Sequence, residues 1–209
     1  MLKKIIATVL LAVVCVAAIH LGRKWTSPKG HPKLERRNLE RAKGNPNAPL
    51  WIVEYMDFQC EGCKAASKIV HDVMEAHPDQ IYYQIRFYPL LKNHRYALKT
   101  SIYAECAAKQ KKFWPYHDRL FLEKDRWSVS GKPDTILREL AKQSGMNLKA
   151  LDACVDNPQT KAAVMKEKED GILLNITSTP TFYFNGEKVV GLDMLEQEFK
   201  KRFPEGKQK

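Results

Sequence analysis

Two cysteines three positions apart, Cys60 and Cys63, bracket Glu61 and Gly62. They follow the apolar run Leu50-Trp51-Ile52-Val53-Glu54-Tyr55-Met56 and open a stretch with helical spacing. A C-x-x-C at a strand-to-helix junction sets its first sulfur beside unpaired backbone N–H groups and the positive end of a helix dipole. Both favour the thiolate, the reactive form. The second sulfur lies one turn further in, within reach of an internal disulfide, which is the minimum equipment for thiol–disulfide exchange. The same spacing serves structural zinc, but a four-ligand site needs two more ligands. His71 and His94 show no paired spacing, so no metal is expected. A purely structural bond across so short a loop would constrain little of the unfolded chain.

The elements that must position this pair begin with a strand over Leu50–Asp57, read from its apolar density. Ala66, Ile69, Val70, Val73 and Met74 then form a helical stripe that Pro78 ends. Residues 80–88, rich in aromatic and β-branched types, predict a second strand and complete β-α-β. A helical region runs from about Tyr96 to Asn157, with Leu98, Ile102 and Cys106 on one face. Asn147 is a good N-cap for a short helix carrying Leu148, Leu151 and Cys154. Asn157-Pro158 reads as N-cap and first residue of the next helix, and Asn175 as the left-handed residue that ends it. The chain closes as β-β-α: Pro180–Phe184, an Asn185-Gly186 hairpin turn, Glu187–Val190, and an amphipathic helix over Leu192–Phe203.

Before this domain, Lys3 and Lys4 precede an uncharged apolar run from Ile5 to Ile19. Fifteen helical residues reach about 22 Å, short of the roughly 30 Å hydrocarbon core. This favours a signal peptide with Val16-Ala17-Ala18 as cleavage site, while residues 2–21 would make a marginal single-span anchor. Residues 1–22 are thus read as signal peptide or membrane anchor, 23–45 as a linker with a short helix, 46–203 as the domain, with its helical insertion at about 94–157, and 204–209 as a basic tail. Either reading of the first segment exports the rest, to the periplasm or the outer face of the inner membrane. Cys15 is an apolar filler, which leaves four exported cysteines, an even number that suggests two pairs. For Cys106 and Cys154 an oxidising compartment favours a structural disulfide over the competing reading of two buried free thiols. The net charge of +11 falls by four without Lys3, Lys4, Arg23 and Lys24. The remaining positives are interleaved with acids, as in Lys166-Glu167-Lys168-Glu169-Asp170, and export makes nucleic acid an unsuitable partner.

Three stretches together resemble the DsbA-like thiol:disulfide oxidoreductases of the thioredoxin superfamily. They are Val53-Glu54-Tyr55-Met56-Asp57-Phe58-Gln59-Cys60, Phe113-Trp114-Pro115-Tyr116-His117-Asp118, and Thr179-Pro180-Thr181-Phe182-Tyr183-Phe184-Asn185-Gly186. The resemblance covers about residues 45–203 and implies an α/β thioredoxin fold, β-α-β then β-β-α, with a helical insertion. It implies that Cys60 is the nucleophile and Cys63 the resolving thiol, and that Pro180 is cis and faces the pair. Thr179 would lend backbone groups to an extended substrate. Glu54, six residues before the first cysteine, would be the buried acid that relays a proton to Cys63. Its competing reading is a polar residue alternating outward on an edge strand. The cysteine pair would be the only redox cofactor. Partners would be cysteine-containing exported proteins and a membrane redox partner, with the membrane itself reached through an uncleaved N-terminal segment.

Glu61 and Gly62 depart from the Pro, aromatic or His that relatives commonly carry between the cysteines. A carboxylate beside Cys60 is expected to oppose the thiolate, partly offset by Lys64, which argues against a very strong oxidant. Gly62 is expected to loosen the first helical turn. Both are read as contacting substrate. A reductase or isomerase on the same fold and a copper-binding chaperone are the rival readings. The aromatic block Phe113-Trp114-Tyr116 reads as core, and His117 as a packed or surface residue.

Overall fold

The computed structural model describes residues 34–35 and 40–204. The N-terminal signal or anchor segment, most of residues 23–45 with their short helix, and the end of the basic tail lie outside the described residues. Five strands form one sheet in the order β1-β3-β2-β4-β5. They are β1 (Ala42–Gly44), β2 (Leu50–Met56), β3 (Ile81–Phe87), β4 (Thr181–Phe184) and β5 (Glu187–Val190). β2 pairs in parallel with β3, Glu54 opposite Ile85, and antiparallel with β4, Glu54 opposite Phe182. The apolar β2 run is therefore central, as a strand buried on both faces must be.

β1 was not expected. Ala42–Gly44 pairs antiparallel with β3, so the domain starts inside the stretch read as linker. Its composition carries little strand signal. What holds it is Arg41, 8% exposed, which donates to Glu167 at 2.7 and 2.8 Å and to the Ile85 carbonyl at 3.1 Å. Glu167 also accepts from Arg86 and from the Phe87 backbone N–H. Paired and fully bonded, these charges can be buried; alone, none could.

α1 (Glu61–Ala76) follows β2, and α8 (Gly191–Arg202) follows β5. Between β3 and β4 run α2 (Ala97–Lys109), α3 (Phe113–Leu122), α4 (Lys124–Trp127), α5 (Pro133–Gln143), α6 (Leu148–Val155) and α7 (Pro158–Leu173). The helical insertion is thus several short helices, broken by the turn at Lys111, which has φ +57°, and by Pro133 and Pro158. Asn147 and Asn157 cap α6 and α7 through their side chains, Asn175 takes φ +55°, and Asn185-Gly186 takes φ +50° and +95° in the hairpin. Phe113, Tyr116 and His117 are buried, and His117 packs edge-on to Phe58 and Phe121.

Strand periodicity decides the fate of Glu54. Ile52, Glu54 and Met56 point to one face of β2, Val53 and Tyr55 to the other. Ile52 and Met56 belong to the main core with Cys63, Ala66 and Val70 of α1, while Val53 and Tyr55 join Tyr88, Ile176 and Tyr183 in a smaller cluster. Glu54 therefore lies in the main core, 2% exposed, and the outward-facing edge-strand alternative is excluded.

Candidate active site

Cys60 is the N-cap of α1, in extended backbone (φ −72°, ψ 124°), and no side chain caps the helix. The orphan N–H groups of the first turn are thus left for the sulfur itself. Cys60 is half-buried and Cys63 buried, and both are free thiols. The two ionise in opposite directions. Cys60 is lowered to about 6, first by hydrogen bonding from the Cys63 side chain, then by Thr179 and the Cys63 backbone N–H, against burial and the Asp57 charge. Cys63 is pushed well above the ordinary thiol range, chiefly by burial. One sulfur is half-buried and ionised near neutrality, and the other is a buried proton donor.

The loop before β4 closes the site. Thr179-Pro180 is a cis peptide, as the resemblance implied. The Cys60 thiol donates to the Thr179 carbonyl at 3.3 Å. The Thr179 hydroxyl is buried and without a partner while Cys60 is a thiol, so it is free to donate to the sulfur once that ionises. It favours the thiolate, so the carbonyl serves the thiol form and the hydroxyl the ionised one. Gly62 has a reason other than the loosened turn expected for it. A Cβ built there would sit 2.9 Å from Pro180 Cδ and 3.7 Å from Cys60 Sγ, so the missing side chain is what lets the proline lie over the pair.

Beneath the pair, Glu54 accepts a hydrogen bond from the Tyr83 hydroxyl, and its Oε1 has no partner. Burial, opposed by that bond, raises its carboxyl to about 8. A neutral acid at physiological pH, coupled to Cys63 by charge, is equipped to exchange a proton with the buried thiol. Asp57, 0% exposed, accepts from the Gln59 and Leu90 backbone N–H groups and pairs with His94 Nδ1 at 2.8 Å. That fixes the turn leading into Cys60.

The expected opposition of Glu61 to the thiolate is corrected. Its carboxylate is ion-paired with Lys124 of α4 and held below its ordinary range by that bond. Lys64 faces Asp125 at 3.8 Å. The exposed acid beside the nucleophile therefore has its counter-ion, and Cys60 is lowered, not raised. Tyr83 and Lys124 were missed in sequence because each reaches the site across the fold, 29 and 63 residues from its partner, and Asp57, just before Cys60, because no spacing signal marks it. Cys106 and Cys154 lie away from the pair and are bonded to each other, joining α2 to α6. Among the described residues, no three His, Cys, Asp or Glu side chains gather as a metal site, and no helix is long and apolar enough to cross a membrane.

Na(+)/H(+) antiporter NhaA 1 of Mycolicibacterium gilvum is 29% identical over 193 residues, 88% of this chain and 30% of that protein. NhaA of Herminiimonas arsenicoxydans is 26% identical over 156 residues, 73% of this chain and 23% of its own length. The chain thus spans less than a third of the curated relatives it matches. Among solved structures it is similar to alpha-DsbA1 of Wolbachia pipientis, at 24% identity and a TM-score of 0.66, over 77% of this chain and 89% of that one. It is also similar to BdbD of Bacillus subtilis, at 21% identity and a TM-score of 0.67, over 82% and 95%. At these identities the likeness is one of fold: a thioredoxin fold with the helical insertion of the DsbA structures. Residues 37–201 match the family model described as thioredoxin, and with a C-x-x-C at the start of α1 under a cis-proline loop, the chain belongs to the thioredoxin family.

Proposed function

We propose that this chain is a thiol:disulfide oxidoreductase that exchanges disulfides with cysteines of exported proteins. The observation that carries the reading is the opposite ionisation of two sulfurs one helical turn apart. In the oxidising direction, a substrate thiolate attacks Cys60 Sγ of the Cys60–Cys63 disulfide. The S–S bond breaks, and the electron pair leaves on Cys63, which takes a proton from the Glu54 carboxyl. A second substrate thiolate attacks the substrate sulfur of the mixed disulfide and expels Cys60 as thiolate. The substrate has lost two electrons, and the pair has gained them. In reverse, Cys60 attacks a substrate disulfide and Cys63, deprotonated through Glu54, resolves it. The cysteine pair is the redox cofactor of both directions.

Direction follows from the thiolate. A lower pKa at the exposed cysteine stabilises the dithiol and makes the disulfide more oxidising. DsbA, with a thiol pKa of about 3.5, stands at about −120 mV, and thioredoxin, at about 7, near −270 mV. A Cys60 value of about 6 lies between the two and nearer thioredoxin, which supports, in the oxidising direction, a moderate oxidant and not a strong one. Such an oxidant needs a membrane redox partner to remove the electrons. The Cys106–Cys154 bond supports an oxidising compartment, as an extracytoplasmic address for residues 23–209 requires. The apolar N-terminal segment would supply export or tethering.

Cys60→Ser is expected to abolish both insulin reduction and dithiol oxidation. Cys63→Ser is expected to accumulate mixed disulfides, visible on non-reducing gels. Full activity in Cys60→Ser, or equal alkylation of the two thiols at pH 7, would refute the assignment. Equilibration of the pair with glutathione gives its potential and separates oxidant from reductase.

A further inference from the structure

Lys124 is a buried basic residue. Its side chain is 5% exposed, whereas that of its partner Glu61 is 78% exposed. A buried ammonium persists where an anion compensates it. Among the described residues, Glu61 is the one anion paired with Lys124. Lys124 opens α4, next to the buried Trp127, and Glu61 is the first helical residue of α1. Lys64 and Asp125 repeat the contact with the charges reversed, at 3.8 Å. Two ion pairs of opposite sense thus tie the insertion to the turn that carries the nucleophile. The Lys64–Asp125 pair is open to water and contributes little. The Lys124–Glu61 pair is anchored in the protein at its cationic end.

The position of Glu61 gives this pair a chemical consequence. An unpaired carboxylate next to Cys60 would disfavour the thiolate, and a buried ammonium left without its carboxylate would favour it. Bound together, they cancel. Cys60 is then governed by the donors of Cys63 and Thr179. We infer that Lys124 is a positioning residue of the exchange reaction: it holds and neutralises Glu61, so that an acidic residue between the cysteines is compatible with a stabilised Cys60 thiolate. The inference rests on the exchange function proposed above.

The experiment is a charge cycle at the two positions, read by the Cys60 pKa from thiolate absorbance and by the equilibrium with glutathione at low salt. Lys124→Met is expected to raise the Cys60 pKa by about half a unit and to make the pair about threefold less oxidising. Glu61→Gln is expected to move both readings the opposite way by a similar amount. The double variant should return close to the wild type, and Lys124→Arg should match it. Both single shifts should shrink toward zero in molar salt, where the screening length is about 3 Å. A merely structural pair would lower the melting temperature of Lys124→Met and leave pKa and potential unmoved, which overturns the inference. Single variants shifting in the same direction overturn it too. If Lys124→Met does not fold, Glu61→Gln decides alone, since its side chain is exposed; an unchanged or raised pKa there refutes the role of Lys124. A wild-type protein that exchanges no disulfides would refute the function but leave the pKa comparison readable.

Discussion

Glu54 carries a large electrostatic consequence for a single residue. Its folded carboxyl titrates at about 8, raised chiefly by burial, against an ordinary value of 4.5. The folded state therefore binds more protons than the unfolded chain between about pH 4.5 and 8. Stability is full below that window and is lost as pH rises through it. The loss should be about 2–5 kcal/mol, the order expected for a fully buried acid. Urea unfolding of the oxidised protein, in which Cys60 does not titrate, is expected to show this decline between pH 5 and 8. Glu54→Gln is expected to flatten it, leaving the variant more stable at pH 8 while slowing exchange by at least about tenfold. A wild-type profile flat across that window would refute the buried neutral acid.

At the scale of elements, the site is the meeting of α1 with the loop before β4. The alternation Ile52-Glu54-Met56 and the helical stripe Ala66-Val70 are both readable in sequence, and they place Glu54 under Cys63. The contact of Gly62 with Pro180 is not readable, because the two lie 118 positions apart and meet only when β4 pairs with β2. That contact makes Gly62→Ala a test. Alanine gains about 1 kcal/mol of helix propensity, and the 2.9 Å approach to a rigid ring costs about 1–3 kcal/mol of overpacking. A net loss of about 1 kcal/mol is expected in thermal unfolding, with slower insulin reduction as the proline loop is displaced from Cys60. An equally active, more stable variant would show that the loop yields freely.

For the molecule as a whole, two long-range links fix the helices between β3 and β4. The Cys106–Cys154 bond joins two of these helices. The Arg41–Glu167–Arg86 cluster joins β1, β3 and α7, with the Arg41 guanidinium over the Phe87 ring at 4.4 Å. Burial weighs against the Glu167 carboxylate, but the two arginines and the Phe87 N–H keep it below its ordinary range. Arg41→Met leaves that carboxylate with one arginine in the core, and breaking such a pair costs about 3–5 kcal/mol. Denaturant unfolding is expected to show a loss of that size, although Arg41 stands in a stretch whose composition reads as linker. A loss under 1 kcal/mol would mean that β1 and Arg41 are dispensable.

What was legible in the chain is local: the strand-helix junction at Cys60, the Asn caps and turns, the hairpin at Asn185-Gly186, and the resemblance carried by three short motifs. Periodicity, capping and turn chemistry act over a few residues and leave their marks in the order of the residues. Glu54, Pro180 and the two cysteines were identified because they keep fixed offsets within such motifs. The counter-ion of Glu61, the hydroxyl on Glu54, the place of Gly62 under Pro180 and the strand at Ala42–Gly44 were decided by packing. Each joins residues far apart in the chain, and charge and steric contact depend on distance in space, which folding sets and residue order does not record.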